Sequence, residues 1–350
     1  MSVIRGYIGT YTTTGDSCGI YCFSLDTEKA QLLDLAPAAE LGNPTYLAAD
    51  VKRRRLFAVK KDGEMGGVAT FLMQADGTLS PRSSLLSPGA SPCYVALSPT
   101  GTVLVSANYH RGTVTTYNLT VEGDLKEMVT VDQHDGSGPN LERQAQAHVH
   151  FADYSRDGRM LVAVDLGGDR LTTYCETAGK LERIDVLSLP AGSGPRHLVF
   201  HPDDAHAYLL SELSSQIFVL DYQRADGHFS IVQTVSALPV GFQGHSQGAA
   251  IKCTGDGRFI YVSNRGDNSL GIFAVAEDGL LRTPAAHVSS GGNWPRDLTI
   301  DPTDRFVLAA NEKSNNVVLF SRDSETGVLL PAGSELSVPR PVCIKLLEVD

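Results

Sequence analysis

The stretch "QGAAIKCTGDGRFIYVSNRGDNSLGIFAVAEDGLL" (247–281) holds one complete structural unit of this chain. Its apolar segments "GAAI", "FIYVSN" and "SLGIFAV" are short and rich in β-branched and aromatic residues, which is typical of strands. The turns that follow them are "TGDG", "RGDN" and "EDG". Asp-Gly between apolar runs is a strong hairpin signal, because both residues tolerate a positive φ. The stretch therefore predicts three antiparallel strands and a turn into a weaker fourth.

The same pattern occurs six times along the chain. The units begin at residues 43, 91, 147, 194, 247 and 294, which gives a period of about 50 residues. Second strands such as "VLVSAN" and "FVLAAN" and third strands such as "TVTTYNL" and "NVVLFSR" occupy equivalent places, and no helix of ordinary length interrupts them. Four-stranded repeats of this period are the signature of a β-propeller.

The two ends of the chain supply a further blade. The segment "YIGTYTTTGDSCGIYCFSLD" (7–26) provides a second and a third strand without a first, and "RPVCIKLLEV" (340–349) is a first strand with no partner after it. We expect the C-terminal strand to pair with the N-terminal blade, because closure of the ring removes exposed sheet edges. The sequence thus predicts one all-β domain, residues 1–350, folded as a seven-bladed β-propeller of four-stranded antiparallel blades.

Composition restricts the class of protein. The formal net charge is −11, and "KRRR" (52–55), interpreted as a solvated turn, is the one basic cluster, so we expect no nucleic-acid partner. No apolar run approaches the roughly 18 residues of a membrane helix, and the N-terminus lacks the pattern of a signal peptide. The six cysteines are scattered, without a CxxC pair, as in reduced cytoplasmic proteins. We expect a cytoplasmic monomer without a membrane partner, and no metal, because no set of ligand-type residues has a known spacing.

Charged residues gather at one rim of the predicted channel. In a propeller the first strand of each blade lines the channel, and counting back from each turn places seven residues in equivalent positions: Thr45, Cys93, His150, Arg196, Ala249, Arg296 and Val342. A second ring comes from the ends of the second strands: Thr10, Lys60, Asn108, Asp165, Ser211, Asn264 and Asn311. Glu212 and Arg265 each follow a member of this ring. His148 precedes His150 by two residues, so strand alternation places both on one side.

The segments "SGPRHLVFHP" (193–202) and "NWPRDLTIDP" (293–302) each place an arginine behind a proline at the mouth of a strand. Half-buried charges are costly unless they are paired, so arginines that converge with a histidine and Glu212 indicate a functional site. His197 is interpreted as structural, since Arg196 takes the channel side. The polar insertion 132–146 is expected to form a long loop on one face.

The segments "AHVHF", "VDLGGDRL", "GSGPRHLVFHP", "YVSNRG" and "NWPRDLTIDPTDRFVLAAN" together resemble the lactonase family of seven-bladed propellers, and the resemblance spans essentially the whole chain. That family includes propeller-type 6-phosphogluconolactonases and fungal 3-carboxy-cis,cis-muconate cyclases. The resemblance implies hydrolysis of 6-phosphogluconolactone in the pentose phosphate pathway without metal or organic cofactor. It places the channel-mouth histidine of the family at His150, its arginine at Arg196 and its acidic partner at Glu212. Ala250 stands where members often have a glutamate.

Opening a lactone requires an activated water and stabilisation of the oxyanion. We interpret His150 as the base, with His148 as the alternative, because a histidine titrates near neutral pH. Arg196 is interpreted as the donor to the oxyanion or a carboxylate, and Glu212 as the group that orients either Arg196 or His150. The residues expected to bind the anionic substrate are Arg296, Arg265, Asn264, Trp294 and Asn311.

Other interpretations remain open at this point. The asparagines of the second ring could instead satisfy backbone groups of turns, and Trp294 could be a packing residue. Within enzymes, a muconate-type cycloisomerase would act on a carboxylate rather than a phosphate. A propeller scaffold that binds proteins without catalysis is the third possibility, although the WD dipeptide pattern is absent. No Gly-x-Ser-x-Gly elbow or HExxH motif occurs, which disfavours serine-esterase and zinc-protease mechanisms.

Overall fold

The computed structural model describes residues 3–283 and 286–347, and in these residues all regular secondary structure is β. They form seven four-stranded antiparallel sheets. None of the described residues belongs to a helix that is long and apolar enough to cross a membrane. The predicted all-β, seven-bladed fold is therefore confirmed.

Four strands make each blade, and they are numbered in chain order. Blades 1 to 3 contain β1 (Val3–Thr10), β2 (Gly19–Asp26), β3 (Gln31–Glu40), β4 (Leu47–Asp50), β5 (Arg55–Asp62), β6 (Met65–Met73), β7 (Leu79–Pro88), β8 (Tyr94–Leu97), β9 (Val103–Asn108), β10 (Thr113–Leu119) and β11 (Leu125–Gln133). Blades 4 and 5 contain β12 (Val149–Tyr154), β13 (Leu161–Asp165), β14 (Arg170–Thr177), β15 (Lys180–Ser188), β16 (Pro195–Phe200), β17 (His206–Ser211), β18 (Gln216–Gln223) and β19 (His228–Ser236). Blades 6 and 7 contain β20 (Gln247–Cys253), β21 (Phe259–Arg265), β22 (Ser269–Ala274), β23 (Ala286–Ser289), β24 (Pro295–Ile300), β25 (Phe306–Asn311), β26 (Asn316–Arg322) and β27 (Leu329–Ser337), and β28 (Pro341–Leu346) returns to blade 1.

The ring closes through the C-terminal strand. β28 pairs antiparallel with β1, with Ile344 opposite Ile8 and Lys345 opposite Tyr7, so blade 1 has the strand order β28-β1-β2-β3. β28 also contacts the inner strands β24 and β4 of the neighbouring blades. This confirms the predicted closure. Residues 348 and 349 of the predicted segment lie outside the described residues.

The second strands of the blades are more buried than the outer strands. Every residue of the second strands β9 and β25 is buried, whereas the outer strand β15 alternates between half-buried and exposed positions. Apolar side chains of adjacent blades pack together; for example Ile344 and Phe23 of blade 1 share a cluster with Leu308 of blade 7. This packing makes the ring a rigid support for the loops at its ends.

The connection from β11 to β12 comprises residues 134–148 and contains no strand. The sequence predicted a loop over 132–146, but residues 132 and 133 continue β11. The loop is held by Gln144, which is fully buried. The side-chain amide of Gln144 donates to the backbone carbonyl of Leu166 over 2.9 Å. The backbone carbonyl of Gln144 accepts from the backbone amide of Gly138 over 2.9 Å.

Candidate active site

Irregular strand pairing aims side chains into one end of the channel. In five blades the register between the inner strand and its neighbour shifts near the start of the inner strand. His150, Arg196 and Arg296 are the extra residues at three of these shifts. A β-bulge re-aims the side chain of its extra residue, and all three side chains lie on the wall of a cavity at this end.

The cavity has a volume of about 650 Å³, and its wall includes two rings of equivalent positions. The first ring contains six of the seven predicted rim residues, without Ala249: Thr45, Cys93, His150, Arg196, Arg296 and Val342. The second ring lies one residue beyond the predicted one: Tyr11, Lys61, Tyr109, Glu212, Arg265 and Glu312.

Glu212 is the electrostatic centre of the site. It is buried, and its Oε2 accepts a hydrogen bond from Arg196 Nε over 3.0 Å. The same oxygen forms an ion pair with Arg265 Nη2 at 2.7 Å. Its Oε1 accepts from Arg143 of the 134–148 loop. Burial alone would raise the pKa of Glu212, but Arg265 and Arg196 hold that pKa well below its ordinary value. One carboxylate therefore faces three guanidinium groups, which leaves an excess of positive charge.

Arg196 is held rigidly and keeps part of its guanidinium free. Nε is bound to Glu212, and Nη1 donates to the Ala249 carbonyl and, over 3.3 Å, to His197 Nε2. Because arginine only donates, His197 Nε2 must be the unprotonated nitrogen. Nη2 makes no hydrogen bond with the described residues and is available to a ligand. Burial, with a contribution from Arg265, lowers the pKa of Arg196 to about 9.

His197 differs from its predicted position. The expectation was that Arg196 takes the channel side and His197 the other. Both residues line the cavity, because the register shift between Pro195 and His197 interrupts strand alternation. His197 thus supports the guanidinium of Arg196 from within the site.

His150 is a neutral imidazole in this environment. The residue is 6% exposed, and burial and the charge of Arg196 move its pKa well below its ordinary value. Its Nδ1 is buried and has no hydrogen-bond partner among the described residues. The ring of His197 lies 5.2 Å away, centroid to centroid. An imidazole that stays unprotonated at neutral pH can accept a proton.

A second cationic group lies on the side of the cavity formed by blades 7 and 1. The Arg296 guanidinium makes no hydrogen bond or ion pair with any residue of the described ranges; it lies over the Tyr11 ring at 5.2 Å. Arg340 lies over the same ring at 4.9 Å and donates to Glu312 over 2.9 Å. Trp294 contacts the ammonium of Lys313, 3.4 Å from its ring centroid. Arg296 is thus a half-buried cation that no carboxylate of the described residues contacts directly; burial alone would lower its pKa, but Tyr11 and the more distant Glu312 raise it.

Two residues at the rim of the cavity have a strained backbone conformation that hydrogen bonds hold in place. Trp294 and Arg340 have φ values of +67° and +42°, which non-glycine residues rarely adopt. Each directly precedes the proline that starts an inner strand. The amide of Trp294 donates to Asn268 Oδ1 over 2.8 Å, and the amide of Arg340 donates to Asn315 Oδ1 over 2.9 Å. These repeated bonds hold both side chains at the cavity.

Three predicted site residues lie elsewhere. Asn264 and Asn311 are fully buried behind the wall, where their amides donate to the backbone carbonyls of residues 237 and 290. His148 precedes β12, so strand alternation does not apply to it. Its ring stacks on Tyr109 at 4.2 Å, and Nδ1 lies 2.7 Å from the Tyr109 carbonyl. None of the three belongs to the cavity wall.

Arg143 is the residue that sequence reasoning missed most clearly. It reaches Glu212 from the 134–148 loop and lies 3.4 Å from the Tyr109 hydroxyl. Its side chain is 27% exposed, so it lies at the mouth of the cavity. Only the polar character of the insertion pointed to a functional loop; no pattern identified this residue.

The cavity is positively charged although the chain is acidic. Its wall contains the cations Lys61, Arg143, Arg196, Arg265, Arg296 and Arg340 and the carboxylates Glu212, Asp297 and Glu312. Six cations against three carboxylates leave an excess of three positive charges. No group of three metal-ligand side chains was found on this wall among the residues described.

These features define a seven-bladed β-propeller with a polar, cation-rich cavity at one end of its channel. Residues 5–346 match the family model described as "Lactonase, 7-bladed beta-propeller". The chain belongs to this lactonase family, and the predicted membership and enzyme class are confirmed.

Relatives of known name or structure match this chain over nearly their full lengths. A 6-phosphogluconolactonase of Bacillus subtilis is 43% identical over 348 residues, which are 99% of each chain. The crystal structure of a Lactobacillus plantarum protein has a TM-score of 0.94 and 38% identity, covering 99% of this chain and 100% of that one. A periplasmic gluconolactonase of Pseudomonas aeruginosa has a TM-score of 0.92 and 32% identity, covering 100% of both chains.

Proposed function

We propose that this protein hydrolyses 6-phospho-D-glucono-1,5-lactone to 6-phosphogluconate in the central cavity. Membership of the lactonase family supports hydrolysis of a lactone, and the B. subtilis relative is named for this phosphorylated substrate. The observation that carries the proposal is the pairing of two features in one cavity. A neutral His150 lies beside Arg196, which has one free nitrogen, and the same cavity contains Arg296, for which the described residues supply no ion-pair partner.

Arg196 and Arg296 are suited to stabilise the two negative groups of the reaction, which are the oxyanion and the substrate phosphate. The carbonyl oxygen of the lactone becomes an oxyanion when water adds, and Nη2 of Arg196 can donate to it. Because Glu212, Ala249 and His197 fix Arg196, little reorganisation is needed at that moment, which is the condition for effective electrostatic stabilisation. Arg296 has no acceptor among the residues that the structure describes, so a phosphate can take its donors bidentately.

His150 acts as general base and then as general acid. The imidazole takes a proton from water as the oxygen bonds to the lactone carbon. The resulting imidazolium returns a proton to the ring oxygen as the ester C–O bond breaks. The products are a free hydroxyl and a carboxylic acid, which loses its proton to solvent at neutral pH and becomes the carboxylate; no metal or organic cofactor enters any step.

Glu212 positions neighbouring side chains and does not itself react. Its low pKa keeps it ionised, and it orients Arg196 and Arg265 through Oε2. Arg143 closes on Oε1 from the loop. An anionic substrate offsets the positive charge that one carboxylate leaves among three guanidinium groups.

The proposal is tested by measuring hydrolysis of 6-phosphogluconolactone, glucono-1,5-lactone and muconolactone by the purified protein, each corrected for spontaneous opening. We expect the phosphorylated lactone to have the highest kcat/KM. A preference for the unphosphorylated lactone would refute the phosphate assignment. Absence of any rate above the spontaneous one would refute lactone hydrolysis itself.

A further inference from the structure

A cluster of ligand-type side chains lies at the other end of blade 5. The turn "HPDDAH" (201–206) joins β16 to β17, and it brings together nitrogen atoms of His201 and His206 and a carboxylate oxygen of Asp203. Five residues of strand separate His201 from Arg196, which corresponds to about 17 Å. The cluster is therefore separate from the cavity.

The three atoms surround a common point. Asp203 Oδ2 lies 3.0 Å from Nδ1 of His201 and 2.6 Å from Nδ1 of His206. All three ligand atoms lie within 4.8 Å of one another. Neighbouring ligands of a tetrahedral Zn²⁺ at about 2.1 Å are about 3.4 Å apart, so small side-chain movements would create a three-ligand site.

The atoms of these side chains that would not bind a metal have other partners, which orients the remaining atoms toward the common point. His201 Nε2 lies 2.9 Å from the Gly257 carbonyl, which only accepts, so Nε2 carries the proton and Nδ1 is an acceptor. The backbone amide of Asp203 donates to this Nδ1 over 3.2 Å, and a metal would take the same lone pair in place of that long hydrogen bond. His206 Nε2 lies 3.6 Å from Asp221 Oδ1. Metal-ligating histidines usually donate their second ring nitrogen to a carbonyl or carboxylate in this way. Asp203 Oδ1 is occupied by the amides of the turn, which leaves Oδ2 for the two imidazoles.

Both rings are packed against the next blade. A Cβ at Gly257 would lie 2.4 Å from His201 Nε2, and a Cβ at Gly279 would lie 2.5 Å from His206 Nε2. Glycine at these positions lets blade 6 approach the rings closely. The imidazoles are thus only 15% and 17% exposed although they belong to a surface turn.

We propose that His201 Nδ1, Asp203 Oδ2 and His206 Nδ1 bind a divalent transition metal of the Zn²⁺ type. Two imidazoles and one carboxylate suit Zn²⁺, Co²⁺ or Ni²⁺ better than Ca²⁺ or Mg²⁺, which prefer oxygen ligands. Three protein ligands leave a position for solvent. The metal would stabilise the turn and, through His201 and Gly257, its contact with blade 6. Sequence reasoning missed the site because the H-x-D-x-x-H spacing matches no common motif.

Zn²⁺ binding by the metal-free full-length protein is measured by calorimetry, together with the melting temperature. His201→Gln retains a donor toward Gly257 but loses the Nδ1 ligand, and Asp203→Asn retains Oδ1 but loses the second carboxylate oxygen. His228→Gln is the matched control, since His228 pairs with Asp185 over 2.9 Å and belongs to no group of three ligands among the described residues.

We expect one Zn²⁺ per wild-type chain, at least tenfold weaker binding in both site variants and unchanged binding in His228→Gln. Zn²⁺ at 100 times its Kd should raise the wild-type Tm by about 3–4 °C. No saturable binding to the wild-type chain, or equal binding by His201→Gln, Asp203→Asn and wild type, would overturn the proposal. Circular dichroism of the metal-free variants establishes that they are folded.

Discussion

Replacing Arg196 with methionine tests the assignment of the oxyanion donor. Methionine has a similar length but no donor. The variant therefore loses Nη2, which has no partner in the described part of the chain, together with the bonds to Glu212, Ala249 and His197. Glu212 keeps Arg265 and Arg143 as partners and is not left as an unpaired buried charge. The variant therefore removes the guanidinium while Glu212 stays paired. It also removes a charge that lowers the pKa of His150, so kcat is compared on the plateau of each variant's pH profile.

The expected effect follows from the geometry. Loss of one preorganised oxyanion donor typically reduces kcat by about 10²- to 10³-fold, or about 2.7–4 kcal/mol. Since the interaction forms mainly in the transition state, KM should change much less than kcat. Stability should fall only modestly, because burial and Arg265 already disfavour the charge of Arg196 and lower its pKa to about 9.

The assay follows acid release from the lactone in a weakly buffered indicator solution, with the spontaneous rate subtracted. Circular dichroism and a melting curve establish that Arg196→Met is folded. A kcat within threefold of wild type in a folded variant, or an effect confined to KM, would refute the role of Arg196 as oxyanion donor.

Three further predictions concern other parts of the molecule. The surroundings of His150 move its pKa well below 6.5, so this base stays neutral as the pH falls toward that value. The acid limb of the kcat/KM profile should therefore lie below pH 6.5, and a limb above that value would contradict the assignment of His150 as the base. Arg143→Ala should lower kcat/KM about tenfold, and Arg143→Lys should recover part of this loss, while the free energy of unfolding changes by about 0.5 kcal/mol or less. Full activity of Arg143→Ala would show that Arg143 has no role in the reaction. Deleting residues 340–350 removes β28 and exposes the edge of β1, so the product should be poorly soluble and melt at a lower temperature; a wild-type Tm would contradict ring closure as a source of stability.

The fold follows closely from the sequence because its signals are local and repeated. Alternating apolar strands and Asp-Gly turns recur in each unit, so strand order, blade number and the closing role of 340–346 could be derived by counting. The inner rim could be located in the same way, since a fixed number of residues separates it from each turn.

The site was only partly predictable because irregular features decide its details. The register shift at Arg196 sends His197 into the cavity as well, and period-two counting cannot anticipate a bulge. Arg143 depends on a loop conformation held by the buried Gln144, and Arg340 depends on a positive φ before a proline. The second ring was displaced by one residue, so the asparagines lie behind the wall and Glu212 and Arg265 lie on it.

The most direct test of the central claim is the substrate preference of Arg296→Met. If this cavity hydrolyses a phosphorylated lactone and Arg296 binds its phosphate, the variant loses charge-assisted hydrogen bonds worth about 1.5–3 kcal/mol. The ratio of kcat/KM for 6-phosphogluconolactone to that for glucono-1,5-lactone should then fall by about 10- to 100-fold, mainly through KM of the phosphorylated substrate. An unchanged ratio in a folded variant would contradict the account.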